Sequence, residues 1–514
     1  MKKFTYILIA LLVISTGVYA QGQMDALRFS QNDMFGTARA MGMGGAFGAL
    51  GGDQTGVSIN PAGIAVYRSN EITATFQFMS NAANVDGKTA RRGTFDMPNI
   101  GLVAYFPLRS HVMPFINVGF TYGLQQSFNR RTSASGELNS SLLDFIADRS
   151  FGLHASDLIM QVDGNNNVTL DPFSRGAPWL PALAASAQLM NPGAGGVWTP
   201  VNTTEKPFAQ INMTERGFID NFGFTLGTTI NHVLSIGASL SVSSISYRLD
   251  SDYDEDFSNG GYTLTNMLTV DGTGVSGRFG LIYSPIHELR LGVSYQTPTR
   301  FALTETFRAT IDQDMVTNTD GLEWLSTGTD RNEFDLRTPG RWIFSAAGIL
   351  GDFIISADYE ITNFGQARLL PSPQMRLSSD WFDYDNEFIQ TDFRTASTLR
   401  LGIDYRVTPQ LSLRAGYIWQ QNPIADVLRD NGDPVLAGSN HLFVIEGDAN
   451  TFTAGIGYRF NRHFFLDFAM MYRTQTNQLY AFPNFVSGDY FFDATPFDMR
   501  NTSLRGMLTL GYRF

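Results

Sequence analysis

Residues 398–407 read TLRLGIDYRV. Leu399, Leu401, Ile403, Tyr405 and Val407 occupy one phase of this stretch, while Arg400, Gly402, Asp404 and Arg406 occupy the other. A period of two sends alternate side chains to opposite faces of a strand, here one greasy face and one charged or small. The same pattern recurs at 452–460, where Phe452, Ala454, Ile456, Tyr458 and Phe460 alternate with Thr453, Gly455, Gly457 and Arg459, and again at 116–124. Strands of a soluble sandwich also alternate, but they average about five or six residues and turn the greasy face inward.

Fourteen such segments can be traced, at 71–81, 99–107, 113–128, 218–230, 233–249, 274–285, 288–311, 333–350, 352–369, 397–408, 411–421, 450–460, 463–480 and 501–514. Their connections alternate in length. Asn231-His232, Pro285 to His287, Gly351, Pro409-Gln410 and Asn461-Arg462 are tight turns, whereas 82–98, 129–217, 250–273, 312–332, 370–396, 422–449 and 481–500 are long loops. Even strand number, spans of about ten residues or more, and short turns on one side only are the marks of an outer-membrane barrel. In lipid, only a helix or a closed barrel satisfies every backbone N–H and C=O. The expected fold is therefore a 14-stranded antiparallel transmembrane β-barrel.

On this reading Phe224, Leu226, Leu291, Val293, Leu399, Leu401, Ile403 and Leu413 face lipid, and Arg290, Asp358, Glu360, Arg400, Asp404, Arg406, Arg414, Asp467 and Arg505 face the lumen. Tyr295, Tyr405, Tyr417, Trp419, Tyr458 and Tyr512 fall near strand ends, where aromatic girdles belong. The plainest role for the inward charges is to pair with one another.

Residues 1–20 read as a cleaved signal peptide: Lys2 and Lys3, an apolar core from Tyr6 to Ile14, then Val18-Tyr19-Ala20. Its removal takes the formal charge from −12 to −14, and no basic run offsets this, so no nucleic-acid partner is expected. Cysteine is absent, which excludes a disulfide scaffold and thiol chemistry. The last strand ends on Phe514, the kind of aromatic terminus that outer-membrane proteins present to their assembly machinery. The export address and the barrel together predict the outer membrane of a gram-negative bacterium, with outer-membrane lipid around the wall.

Ahead of the strands, residues 21–70 are expected to form an amino-terminal hatch or plug that makes a single structural unit with the barrel, 71–514. Within the former, 36–67 (GTARAMGMGGAFGALGGDQTGVSINPAGIAVY) holds nine glycines among apolar residues. It is too glycine-rich for a helix or central strand and too apolar for a free tail, so it is read as a plug in the lumen. A glycine-rich segment ending in Asn60-Pro61-Ala62-Gly63, followed by fourteen strands and a terminal Phe, resembles the FadL/TodX family of outer-membrane transporters for long-chain fatty acids and other hydrophobic compounds. Asn60, Pro61, Ala62 and Gly63 match that family's hatch motif. Thr297-Pro298-Thr299-Arg300-Phe301 and Thr338-Pro339-Gly340 are similar to its proline-marked strand positions.

The resemblance implies uptake of hydrophobic small molecules such as long-chain fatty acids: capture at extracellular loops, passage by the hatch, and sideways release through an opening at a kinked strand. Each CH₂ held in water costs about 0.8 kcal/mol, so a greasy capture site and an exit into the bilayer suit such a cargo. Short helices in the loop 129–217 are the candidate capture surface, with Leu142, Phe145, Ile146, Leu158, Ile159, Trp179 and Leu180 as ligand contacts; the alternative is that these helices only cap the barrel. The kink is placed in strand 113–128, at Pro114, Gly119 and Gly123. A plugged barrel with an internal path needs no partner subunit, so a monomer is expected. The competing reading is a non-transporting barrel serving adhesion or surface structure.

No enzyme is expected. The six histidines lack metal-ligand spacing, G-x-S-x-G is absent, and Gly42-Met43-Gly44-Gly45-Ala46-Phe47 misses the dinucleotide fingerprint at its last position. No metal or other cofactor is expected. Asp250, Asp252, Asp254 and Asp256, with Asp380, Asp383 and Asp385, read as solvated acidic loops, since the glycine and final Glu of an EF-hand are missing.

Overall fold

The computed structural model describes residues 22–514 apart from 164–167, 202–204, 317–323, 375–377, 379, 435–439 and 489. The signal-peptide reading of 1–20 thus lies outside the described residues. The barrel strands are β1 (Glu71–Val85), β2 (Lys88–Pro107), β3 (Phe115–Ser127, continued by Arg130–Glu137), β4 (Phe208–Ile230), β5 (Leu234–Phe257), β6 (Gly260–Ile286) and β7 (Leu289–Gln296, then Arg300–Gln313). They continue as β8 (Asp330–Arg337, then Arg341–Leu350), β9 (Phe353–Asn363, then Arg368–Pro371), β10 (Thr395–Arg406), β11 (Leu411–Gln420), β12 (Phe443–Arg459), β13 (Phe464–Tyr480) and β14 (Phe497–Arg513). Each pairs antiparallel with its chain neighbours, and β1 closes on β14 from Glu71↔Arg513 to Val85↔Met499. The sheet closes on itself as a 14-stranded barrel.

The alternation maps onto this wall as expected. Phe224, Leu226, Leu291, Leu401, Ile403 and Leu413 are exposed to the outside, while Asp358, Arg400, Asp404, Arg414, Asp467 and Arg505 are buried inside. A band of rings marks the end with the tight turns: Phe353 stacks on Tyr405 at 4.4 Å, Tyr458 meets Phe460 at 4.9 Å, and Tyr512 stacks on Phe514.

Two expected loops are strands. Residues 82–98 continue β1 and β2 around an Asp86-Gly87 turn, and 250–273 continue β5 and β6 up to a turn at residues 258–259. The DSDYDED stretch is therefore not an acidic loop. It is a ladder in which Tyr253 and Glu255 turn inward while Thr265 and Thr263 donate to Asp252 and Asp254. Above the membrane, neither face of a strand needs to be greasy, so hydropathy loses its period although the pleat continues.

The other extracellular loops carry short helices that close the top of the barrel. Helices Leu142–Arg149 and Trp179–Ser186 pack into one apolar core with inward residues of β5 to β8, among them Ile245, Tyr247, Phe301, Phe307 and Phe334. Phe145 lies edge-on to Phe485 at 5.6 Å, and Trp179 edge-on to Phe307 at 5.0 Å.

Candidate functional site

The amino-terminal segment sits within the lumen and is held there through its backbone. Asn117 Nδ2 donates to the Ile64 and Tyr67 carbonyls at 2.6 and 3.0 Å, and the Asp358 carboxylate accepts from the Phe47 and Gly48 amides at 3.0 Å. Thr453 accepts from Gly44 N–H and donates to Gly42 O, and Arg290 donates to Leu50 O at 2.6 Å. Many of the inward polar groups thus satisfy plug backbone that would otherwise be buried unpaired, at a cost of about 1–3 kcal/mol each.

Asn60 is the joint between plug and wall. Its Nδ2 donates to Gly48 O at 2.8 Å and to Leu281 O of β6 at 3.1 Å, and its Oδ1 accepts from Ala62 N, capping the 3₁₀ turn Pro61–Val66. Wall glycines make room for this joint. A Cβ at Gly280 would stand 1.9 Å from Asn60 Oδ1, and one at Gly237 would stand 2.3 Å from Pro61 O. Sequence reasoning found Asn60 but not these partners, whose signal is a glycine in the inward phase of a strand.

Below the plug, Arg414 bridges Asp404 at 3.0 Å and Asp467 at 2.5 Å, all three buried. Replacing it with alanine leaves two buried carboxylates facing each other. Arg414→Ala is expected to cost about 3–5 kcal/mol, read as a lower urea midpoint for loss of the heat-modifiable folded band on gels.

Among the described residues, a cavity lies on each side of the plug. The lower, about 240 Å³, is lined by Thr37, Asp53, Glu71, Arg406, Gln410 and Arg513 and faces the tight turns. The upper, about 250 Å³, runs from Arg278, Arg341 and Arg400 across the lumen to Asn99, Thr121 and Gly123. Among the described residues no group of three or more His, Asp or Glu side chains could hold a metal ion.

At the far end of the upper cavity the wall is incomplete. β3 pairs with β2 only from Pro107↔Phe115 to Asn99↔Gly123. Beyond that point both strands continue but part: β2 from residue 98 back to Lys88 stays on β1, and β3 past Gly123 stays on β4. Pro98, which has no N–H to give, stands where pairing stops. There the β1–β2 register also shifts between Thr75 and Gln77. An added Cβ at Gly123 would meet nothing within 4 Å.

The expected kink residues therefore separate. Gly123 lies at the wall break. Gly119 packs on the hatch instead, with an added Cβ 2.6 Å from Ile64 Cδ1, and Pro114 sits in the turn before β3, at the opposite end. The sequence signal that was missed is Pro98 inside β2.

The expected capture residues come together, but as packed interior. Leu142, Phe145, Ile146, Leu158, Trp179 and Leu180 are buried in the cap, with Ile159 at its edge, and none of them lines either cavity. Among the apolar side chains that the long loops leave open to the outside are Val486, Tyr490 and Phe491, on a hairpin of the loop before β14, together with Phe151, Tyr384 and Val427. Burial pushes the cap's His441 imidazole down to about 4, so the ring is neutral at pH 7 against the Ala481 carbonyl.

A family model described as outer membrane protein transport protein (OMPP1/FadL/TodX) matches residues 219–484, just over half of the chain. The solved structure of a FadL homologue from Pseudomonas aeruginosa superposes with a TM-score of 0.53 at 13% identity, covering 94% of this chain and 99% of that one. The toluene transporter TodX of Pseudomonas putida covers the same shares at 14% identity with a TM-score of 0.48. At 13% identity the likeness to the FadL homologue is one of fold. No curated protein matches the sequence.

Proposed function

The chain belongs to the OMPP1/FadL/TodX family of outer membrane transport proteins, which are not enzymes, and from that premise we propose a route. It takes up hydrophobic small molecules such as long-chain fatty acids and releases them sideways through the break between β2 and β3. The observation that carries this reading is the meeting of three features at one place: an upper cavity, a plug closing the lumen beneath it, and a wall whose pairing ends at Asn99↔Gly123 beside it. A cargo that avoids water gains by leaving into the bilayer instead of crossing to the lower, polar cavity.

First contact falls to the exposed rings of the 485–492 hairpin, and the cap helices that carry Leu142, Phe145 and Trp179 shift to admit the cargo. Asn60 to Gly63 act as the hatch hinge, fixing the plug through their wall contacts. The chain is exported by its signal peptide, inserted through recognition of its terminal strand, and works as a monomer. The test is uptake of a labelled long-chain fatty acid by cells lacking their own porter. Protein-dependent uptake well above the empty-vector level is expected. Background uptake, with insertion verified, would remove fatty acid as cargo.

A further inference from the structure

The chain carries a net charge of −12, yet cations without acids gather at one height on the outside of the wall. Arg131 of β3 and Arg216 of β4 both stand in the outward phase, exposed, while their neighbours Thr132, Met213 and Glu215 are buried. Arg131 lies opposite Thr214, which makes Arg216 its diagonal neighbour on the same face, and Arg216 lies directly opposite Arg248 of β5. Like charges placed so are destabilising. Arg92, on the parted stretch of β2, joins them: the charges that act on it are those of Arg216 and Arg131, and its Nε is buried without a partner.

Other arginines of the outer wall have their acids, Arg248 in Asp250, Arg300 in Asp335 and Arg331 in Glu333. Among the described residues Arg131 and Arg216 make neither an ion pair nor a side-chain hydrogen bond. Asp220, four residues below Arg216 on β4, is held by Tyr122. Four guanidinium groups therefore share one carboxylate, Asp250.

What lies below and above fixes the height of this group. Below Arg216 the outward residues of β4 are Phe218, Phe222, Phe224 and Leu226, all exposed as lipid-facing side chains are. Above Arg248 the outward residues of β5 are acidic, from Asp250 to Asp256. Two residues of strand rise about 6–7 Å, so the cations stand one step beyond the greasy wall, on the side of the long loops, which is the extracellular side. That is the level of the outer leaflet's head groups.

We propose that Arg92, Arg131, Arg216 and Arg248 bind the phosphorylated sugar head group of lipopolysaccharide, the lipid of the outer leaflet, with its acyl chains against Phe218, Phe222 and Phe224. Guanidinium forks match phosphate oxygens in pairs, and basic clusters beside a lipid-facing surface select anionic head groups. Arg92 and Arg131 stand on opposite sides of the β2–β3 break, so one bound head group ties its two edges. The site rests on the barrel's place in the outer membrane and not on the cargo.

The test is equilibrium binding of fluorescent lipid A to the full-length protein in an uncharged detergent, compared with the same lipid stripped of its phosphates. The phosphorylated form is expected to bind about ten-fold or more tightly. Arg131→Gln combined with Arg216→Gln, which breaks no ion pair, is expected to remove most of that difference and leave the folded gel band unchanged. Arg331→Gln, on the same outer wall, is expected to keep it. Equal binding of the two lipid forms, or a phosphate effect that survives the double substitution, would overturn the proposal. So would inorganic phosphate competing as strongly as lipid A, which would make this a site for the free ion, or phosphatidylglycerol doing so, which would reduce it to attraction for any anionic lipid. Palmitate bound more tightly than lipid A and lost in the double variant would assign these arginines to the cargo instead.

Discussion

Gly280→Leu is expected to unseat the plug without dissolving the barrel. The added Cβ would lie 1.9 Å from Asn60 Oδ1 and 2.9 Å from Pro61 Cδ. Asn60 cannot yield, because its three hydrogen bonds, to Gly48 O, Leu281 O and Ala62 N, fix it from two sides. Overpacking costs about 1–3 kcal/mol, and each bond broken with its partner left buried adds about 1–3 kcal/mol more. The wall does not share this cost, since the backbone pairing of β6 runs through Gly280 regardless of side chain. Ion conductance across a planar bilayer should therefore rise at least about ten-fold over the wild type, and cells should become sensitive to large polar antibiotics. Gly506→Leu, whose Cβ meets nothing within 4 Å, should behave as the wild type. A Gly280→Leu channel as closed as its parent would mean that the plug is held by other contacts.

The wall was readable because lipid imposes a rule on every residue it touches. Leu399, Leu401 and Ile403 must be apolar and Arg400 and Asp404 need not be, so the period of two survives in the sequence. Where lipid stops, the rule stops. Asp250, Asp252, Asp254 and Asp256 alternate with Ser251, Tyr253 and Glu255 on a regular strand, but polar groups on both faces hide its pleat from hydropathy.

The plug was readable from its glycines, and Asn60 from its place before Pro61. What escaped was pairing at a distance. Nothing local to Gly280 says that Asn60 will stand against it. The parting of β2 and β3 was legible only in part: Gly123, one of the three residues named for a kink, lies at its edge. Glycine in β3 was taken as the sign of a kink, yet Gly119 serves the close approach of Ile64, whereas the parting of the strands is marked on the opposite strand, by Pro98. The apolar helices of the first long loop were readable as helices, but an apolar face alone does not say whether it meets a ligand or its neighbours. Here Phe145 and Trp179 meet Phe485 and Phe307.

The sideways route gives the sharpest expectation. Gly123 faces the upper cavity at the last β2–β3 pair, and a side chain placed there enters open space. A tryptophan at 123 would therefore fill the passage without straining the wall, and a ring of that size leaves no room for an acyl chain beside it. Gly506 supplies the control, since it also has open space around its Cα but sits on β14, away from the break. The deciding measurement is the initial rate of labelled fatty acid uptake in cells carrying the wild type, Gly123→Trp or Gly506→Trp at equal levels of folded barrel. The account predicts at least about a ten-fold fall for Gly123→Trp, with binding to the purified protein retained and Gly506→Trp unaffected. Wild-type uptake through Gly123→Trp would contradict it, and the cargo would have to leave by a path that does not pass between β2 and β3.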